Sequence, residues 1–85
     1  MNWTVLVAKA TQEQLARFPA KDQDRIAAAI RALADDPFGG DIIKLEGKNS
    51  RWRRRIGGYR IFFAVDTKSR TVAVSAIVRR TSTTY

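Results

Sequence analysis

The chain contains no cysteine and no histidine. Lack of cysteine excludes a disulfide framework, a thiolate nucleophile and sulfur ligands for a metal. Lack of histidine removes the usual general base near neutral pH. Acidic residues are scarce as well: eight Asp and Glu against sixteen Lys and Arg leave a net charge of +8. That balance suits an acidic protein, a polyanion or an anionic membrane surface. Asp35, Asp36 and Asp66 are scattered over a helix end and a turn, not gathered as a Mg²⁺ site requires. No apolar run nears the roughly 20 residues of a spanning helix. The short run from Trp3 to Ala8 lacks the length and basic flank of a signal segment. The expectation is a cytoplasmic protein that uses no metal and no cofactor.

With 85 residues, 45% of them apolar, the sequence is that of a single folded domain over residues 1–85. Trp3 to Val7 is rich in β-favouring residues and reads as a strand. Thr11 has the chemistry of an N-cap for a short helix running to Phe18, which Pro19 closes. From about Lys21 to Ala34, apolar residues including Ile26, Ala27, Ile30 and Leu33 recur at helical spacing. Asp36-Pro37 and Gly39-Gly40 then break the helix. Beyond Lys44 the period falls to two, and Arg51–Ile56, Tyr59–Asp66 and Thr71–Val78 read as three strands of a meander. The pattern β-α-α-β-β-β predicts an α+β fold, an antiparallel sheet with two N-terminal helices packed on one face.

The segment Trp52-Arg53-Arg54-Arg55-Ile56-Gly57-Gly58-Tyr59-Arg60 carries the functional signal. A two-residue Gly57-Gly58 turn sets Arg55 opposite Arg60, and like charges facing each other across a strand pair repel. An anion between them relieves the cost. Alternation sends Trp52, Ile56, Tyr59, Ile61, Phe63 and Val65 to the core, and Arg53, Arg55, Arg60 and Phe62 to the other face. A four-residue second turn would bring Val72, Val74, Ala76 and Val78 to the core and Arg79 to the open face beside Arg60. Arg54 has coreward parity and is expected to reach solvent from an edge. Arginine forks fit phosphate, and Phe62 and Tyr85 are placed to stack on unpaired bases. Lys44, Lys48 and Arg80 extend the basic set. The plainer alternative is a solvated basic face, or one that meets an acidic protein.

The run Leu45-Glu46-Gly47 followed by Trp52 to Phe63 closely resembles the RelE/ParE superfamily of toxins from toxin–antitoxin pairs. The stretch with Phe18-Pro19, Arg25-Ile26, Ala29-Ile30, Leu33 and Asp36-Pro37 is similar to the same family, as is the ending Val78-Arg79-Arg80 with Tyr85. The resemblance implies a RelE-type endoribonuclease, which cuts mRNA in the ribosomal A site, with a ParE-type poison of DNA gyrase or an inactive relic that only binds its antitoxin as the alternatives. The six-residue step from Arg79 to Tyr85 favours the RelE branch. Carried over by position, Arg60, Arg79 and Tyr85 become catalytic and Arg53 and Arg55 bind RNA. The resemblance further implies an acidic antitoxin encoded by a neighbouring gene, with the ribosome and mRNA as partners and no role for a membrane. Glu46 departs from the family, standing where a basic residue is frequent, and Arg53 and Arg55 stand where lysine is used.

Overall fold

The computed structural model describes residues 2–45 and 51–79. Strand β1 (Thr4–Val7) is followed by helices α1 (Lys9–Leu15) and α2 (Ala20–Leu33). Strands β2 (Ile42–Lys44), β3 (Arg51–Ile56), β4 (Tyr59–Asp66) and β5 (Thr71–Arg79) follow in the described residues. They form one five-stranded sheet in the order β1-β5-β4-β3-β2. This is the expected α+β arrangement, with two differences in the sheet. β2 was not legible, because three residues are too few to display a period. The sheet is also mixed: β1 runs parallel to β5, and the other neighbours are antiparallel. The two helices between β1 and the meander provide the long crossover that a parallel pair needs.

Helix α2 supplies one side of the core. Ile26, Ala29, Ile30 and Leu33 follow the i, i+3, i+4, i+7 pattern and are all buried. They pack against Tyr59, Ile61, Phe63 and Val65 of β4 and Val72, Val74 and Ile77 of β5. Pro19 opens the helix, and Gln23 reaches back through Nε2 to donate to the carbonyls of Phe18 (2.7 Å) and Ala16 (3.1 Å). Those bonds fix the corner between α1 and α2. At the other end of α2 the Ala34 carbonyl accepts from the backbone N–H groups of Asn2 and Trp3, both at 3.1 Å. One helix terminus and the start of β1 are thereby satisfied together.

A β-bulge in β5 sets the geometry of the site. Phe62 faces Ala76 while Phe63 faces Val74, so Ser75 is the extra residue. One added residue reverses the parity of everything after it. Ile77, rather than Ala76 or Val78, therefore enters the core, and Val78 is 45% exposed. Thr11 does not cap α1, which begins two residues earlier without a side-chain cap. The buried Thr11 hydroxyl donates instead to the Ser75 carbonyl at 2.9 Å. A carbonyl displaced from the ladder by the bulge thus gains a partner from α1. Among the described residues no helix is long and apolar enough to cross a membrane.

Candidate functional site

The Gly57-Gly58 turn joins β3 to β4 and pairs Arg55 with Arg60, Arg53 with Phe62 and Arg51 with Ala64. Gly57 takes a φ of +55°, a left-handed conformation open to glycine at little cost. All three pairs point away from the helices, the opposite face holding Tyr59, Ile61 and Phe63. Arg51, Arg53, Arg55 and Arg60 therefore share the open face of the sheet. Arg51 is an addition: its parity with Arg53 and Arg55 was readable in the sequence, but the glycine turn drew attention to the hairpin tip alone.

These cations are not equivalent. Arg55 pairs through Nε with the Asp41 carboxylate at 3.0 Å, while its backbone N–H donates to the Asp41 carbonyl at 2.9 Å. Part of its charge is thus balanced within the protein, in an exposed pair of modest strength. Arg53 and Arg60 differ. The Nε of each is shielded from solvent and has no hydrogen-bond partner among the described residues, as is also true of Arg54 on the helix side. The charge of Arg53 and Arg60, rather than these shielded N–H groups, is what draws an incoming anion. Phe62 lies on the same face, half-buried, between Arg53 on β3 and Ala76 on β5.

Two expectations are corrected. Arg79 is not on the open face. It pairs with Tyr59, because the Ser75 bulge shifts its parity, and its guanidinium lies 5.8 Å from the tyrosine ring centroid on the helix side. Val78 takes its place opposite Arg60. Lys44 also lies on the helix side, opposite Trp52, with Nζ 6.0 Å from that ring. Its strand, β2, was not anticipated, so its parity could not be counted. Lys48, Arg80 and Tyr85 lie outside the described residues.

The coreward Arg54 does not escape from an edge. It sits between Ile42 of β2 and Ile61 of β4. Its guanidinium lies against Gly40, where an added Cβ would come within 2.9 Å of Arg54 Cζ. Tyr59, expected in the core, is buried and packs against Phe18, the two rings tilted at 45° with centroids 4.9 Å apart. Its hydroxyl donates to Asp22 Oδ2 at 2.7 Å. That hydrogen bond, with burial behind it, raises the phenol pKa above its ordinary value of 10.0, while Arg79 and Arg25 pull it the other way.

Comparison with known proteins agrees with this architecture. The sequence profile of the ParE toxin of type II toxin–antitoxin systems, parDE, matches residues 3–83. The chain is similar in structure to the archaeal RelE–RelB complex from Pyrococcus horikoshii OT3, at 25% identity and a TM-score of 0.87, over 96% of this chain and 99% of that one. It is similar in fold to the isolated E. coli RelE toxin, at 12% identity and a TM-score of 0.80, over 96% and 88% of the two chains. The YoeB/ParE toxin from Agrobacterium tumefaciens has 19% identity and a TM-score of 0.73, over 92% and 99%. No protein of curated function matches. With the profile spanning nearly the whole chain, and an arginine-bearing hairpin at the centre of the shared fold, the chain belongs to the ParE toxin family of type II toxin–antitoxin systems, within the RelE/ParE superfamily.

Proposed function

We propose that this toxin is a ribosome-dependent endoribonuclease that cuts mRNA in the A site. The observation that carries the reading is the gathering of Arg53 and Arg60, with Arg51 and Arg55, on one open face of the sheet. In this mechanism the RNA 2′-OH attacks the adjacent phosphate, leaving a 2′,3′-cyclic phosphate and a 5′-OH. Arg53 and Arg60 hold that phosphate and stabilise the charge that grows on its oxygens. Arg55, tethered to Asp41, adds to the positive potential without being the main contact. Arginine stays protonated and so does not act as the base. The base or orienting group assigned by resemblance is Tyr85, with the ribosome aligning the substrate. Among the described residues no three carboxylates gather as a metal site would need, so the reading assigns the work to cations. Because Arg79 faces Tyr59 on the helix side, the proposal moves its phosphate-holding role to Arg53. Arg80 is the other cation the sequence offers at that end of β5.

An acidic antitoxin is the partner proposed for the same basic face. Relatives of similar fold were crystallised with RelB, in the complexes from Pyrococcus horikoshii OT3 and Methanococcus jannaschii. A second reading, a gyrase poison that leaves RNA intact, is favoured by the match to the ParE profile. Cleavage assays with purified ribosomes and a defined mRNA separate the two. Ribosome-dependent cuts that disappear in Arg60→Ala support the nuclease, whereas a toxic protein that leaves mRNA intact supports the gyrase poison.

A further inference from the structure

Beside the arginines, the open face carries a groove of about 520 Å³. Phe62 forms its aromatic wall, Ala64, Ala73 and Ala76 line its floor, and Val78 and Ser75 stand along β5. The bulge decides which side chains of β5 line it. Without the extra residue, Ser75 would face Phe62 and Ile77 would stand opposite Arg60 in place of Val78. With it, the small Ala76 faces Phe62 and Ile77 turns into the core. Bulges recur beside functional sites because they re-aim side chains in this way. The construction is held from the helix side by the bond from Thr11 to the Ser75 carbonyl.

We propose that this slot receives one unstacked base of single-stranded RNA, stacked on Phe62, while Arg53 and Arg60 hold an adjoining phosphate. The inference rests on the ribonuclease reading and adds to it a base subsite. Charge complementarity selects the occupant. The slot is mostly apolar but has Arg51 in its lining, and Arg53, on the same face as Arg60, lies directly across the ladder from Phe62. A nucleotide supplies a flat aromatic body and an anion within one unit, the combination that single-strand binders recognise. The Ser75 hydroxyl makes one long bond, 3.3 Å to the Phe62 carbonyl, and keeps its lone pairs for a donor on the base edge.

The test is single-turnover cleavage on ribosomes programmed with mRNAs carrying one abasic position at a time in the A-site codon. For the wild-type chain, one position costs about tenfold more than the other two, the scale of a lost base–aromatic stack. In Phe62→Leu that difference disappears. In Ala73→Phe, a change at an exposed residue on the groove floor, the intact codon is cut about tenfold more slowly and the abasic codon as fast as by wild type. A positional difference that persists in Phe62→Leu overturns the slot, as does an Ala73→Phe protein that cuts intact codons at the wild-type rate. Either result leaves the ribonuclease reading standing if Arg60→Ala is inactive. Absence of cleavage by the wild-type chain at every codon overturns both.

Discussion

Arg79 lies directly across the β4–β5 ladder from Tyr59, with its guanidinium 5.8 Å from the tyrosine ring centroid. The cations around the hairpin are therefore divided between two faces. Arg53, Arg55 and Arg60 face outward with Phe62, while Arg79 belongs to a cluster built from Tyr59, Asp22 and Arg25. The two faces make separable predictions.

Replacing Arg60 by Ala is expected to lower ribosome-dependent cleavage by about 100-fold or more, the scale of losing one charge-stabilising donor. Arg79→Ala is expected to cost less than about tenfold, since it removes no donor from the open face. It should instead push the already raised Tyr59 pKa further up, because a cation that lowers it has gone. Single-turnover rates and a spectroscopic titration of the tyrosines read the two effects. A larger rate loss in Arg79→Ala than in Arg60→Ala would contradict the division of faces.

Thr11→Val should destabilise the fold by about 1–3 kcal/mol, since it leaves the Ser75 carbonyl in the bulge without its side-chain donor. Urea denaturation measures this directly. The same variant is expected to cleave more slowly than its stability loss explains, because the bulge shapes the open face.

At Gly57 a side chain meets strain from the backbone more than from crowding. The φ of +55° costs an L-residue about 1–2 kcal/mol. The nearest atom to an added Cβ, Arg25 Nη2 at 2.7 Å, belongs to an exposed chain that can swing away. Gly57→Ala should therefore lower the melting temperature while keeping the fold, and Gly57→Asn, whose side chain tolerates this conformation, should lower it less.

Much of this architecture was legible in the sequence. Helix α2 announced itself through Ile26, Ile30 and Leu33, and the hairpin through the glycines that follow Ile56. The pairing of Arg55 with Arg60 followed from the turn length alone. The bulge did not, because Ser75 and Ala76 carry no local mark that one of them is extra. The misplacement of Arg79, Ala76 and Val78 all follows from that single residue. The parallel pairing of β1 with β5 escaped for a different reason. Its partners Val5 and Val72 are 67 residues apart, and no periodicity encodes a contact at that range. Thr11 looked like a cap because its chemistry suits one; tertiary structure used the same hydroxyl elsewhere.

Acid should act on the turn between β4 and β5. The Asp66 carboxylate accepts from the backbone N–H groups of Lys68 (3.0 Å) and Ser69 (3.3 Å). The bonds from Ser69, followed by that from Lys68, hold its pKa below the usual 3.8. A depressed folded pKa means stability that is present above about pH 4 and lost as pH falls through the lower folded value. Melting temperatures of wild type and Asp66→Asn should differ at pH 6 and draw together as pH falls below about 4. A gap that stays constant down to pH 3 would remove this turn from the acid response.

The central claim is that the open arginine face acts on RNA. Primer-extension mapping of a defined mRNA, translated with purified ribosomes and this toxin, tests it most directly. The account predicts cuts confined to the A-site codon, dependent on ribosomes, and lost in Arg53→Ala combined with Arg60→Ala. Intact mRNA in the presence of a wild-type protein that still arrests cell growth would contradict it, and would assign the same arginine face to a protein target.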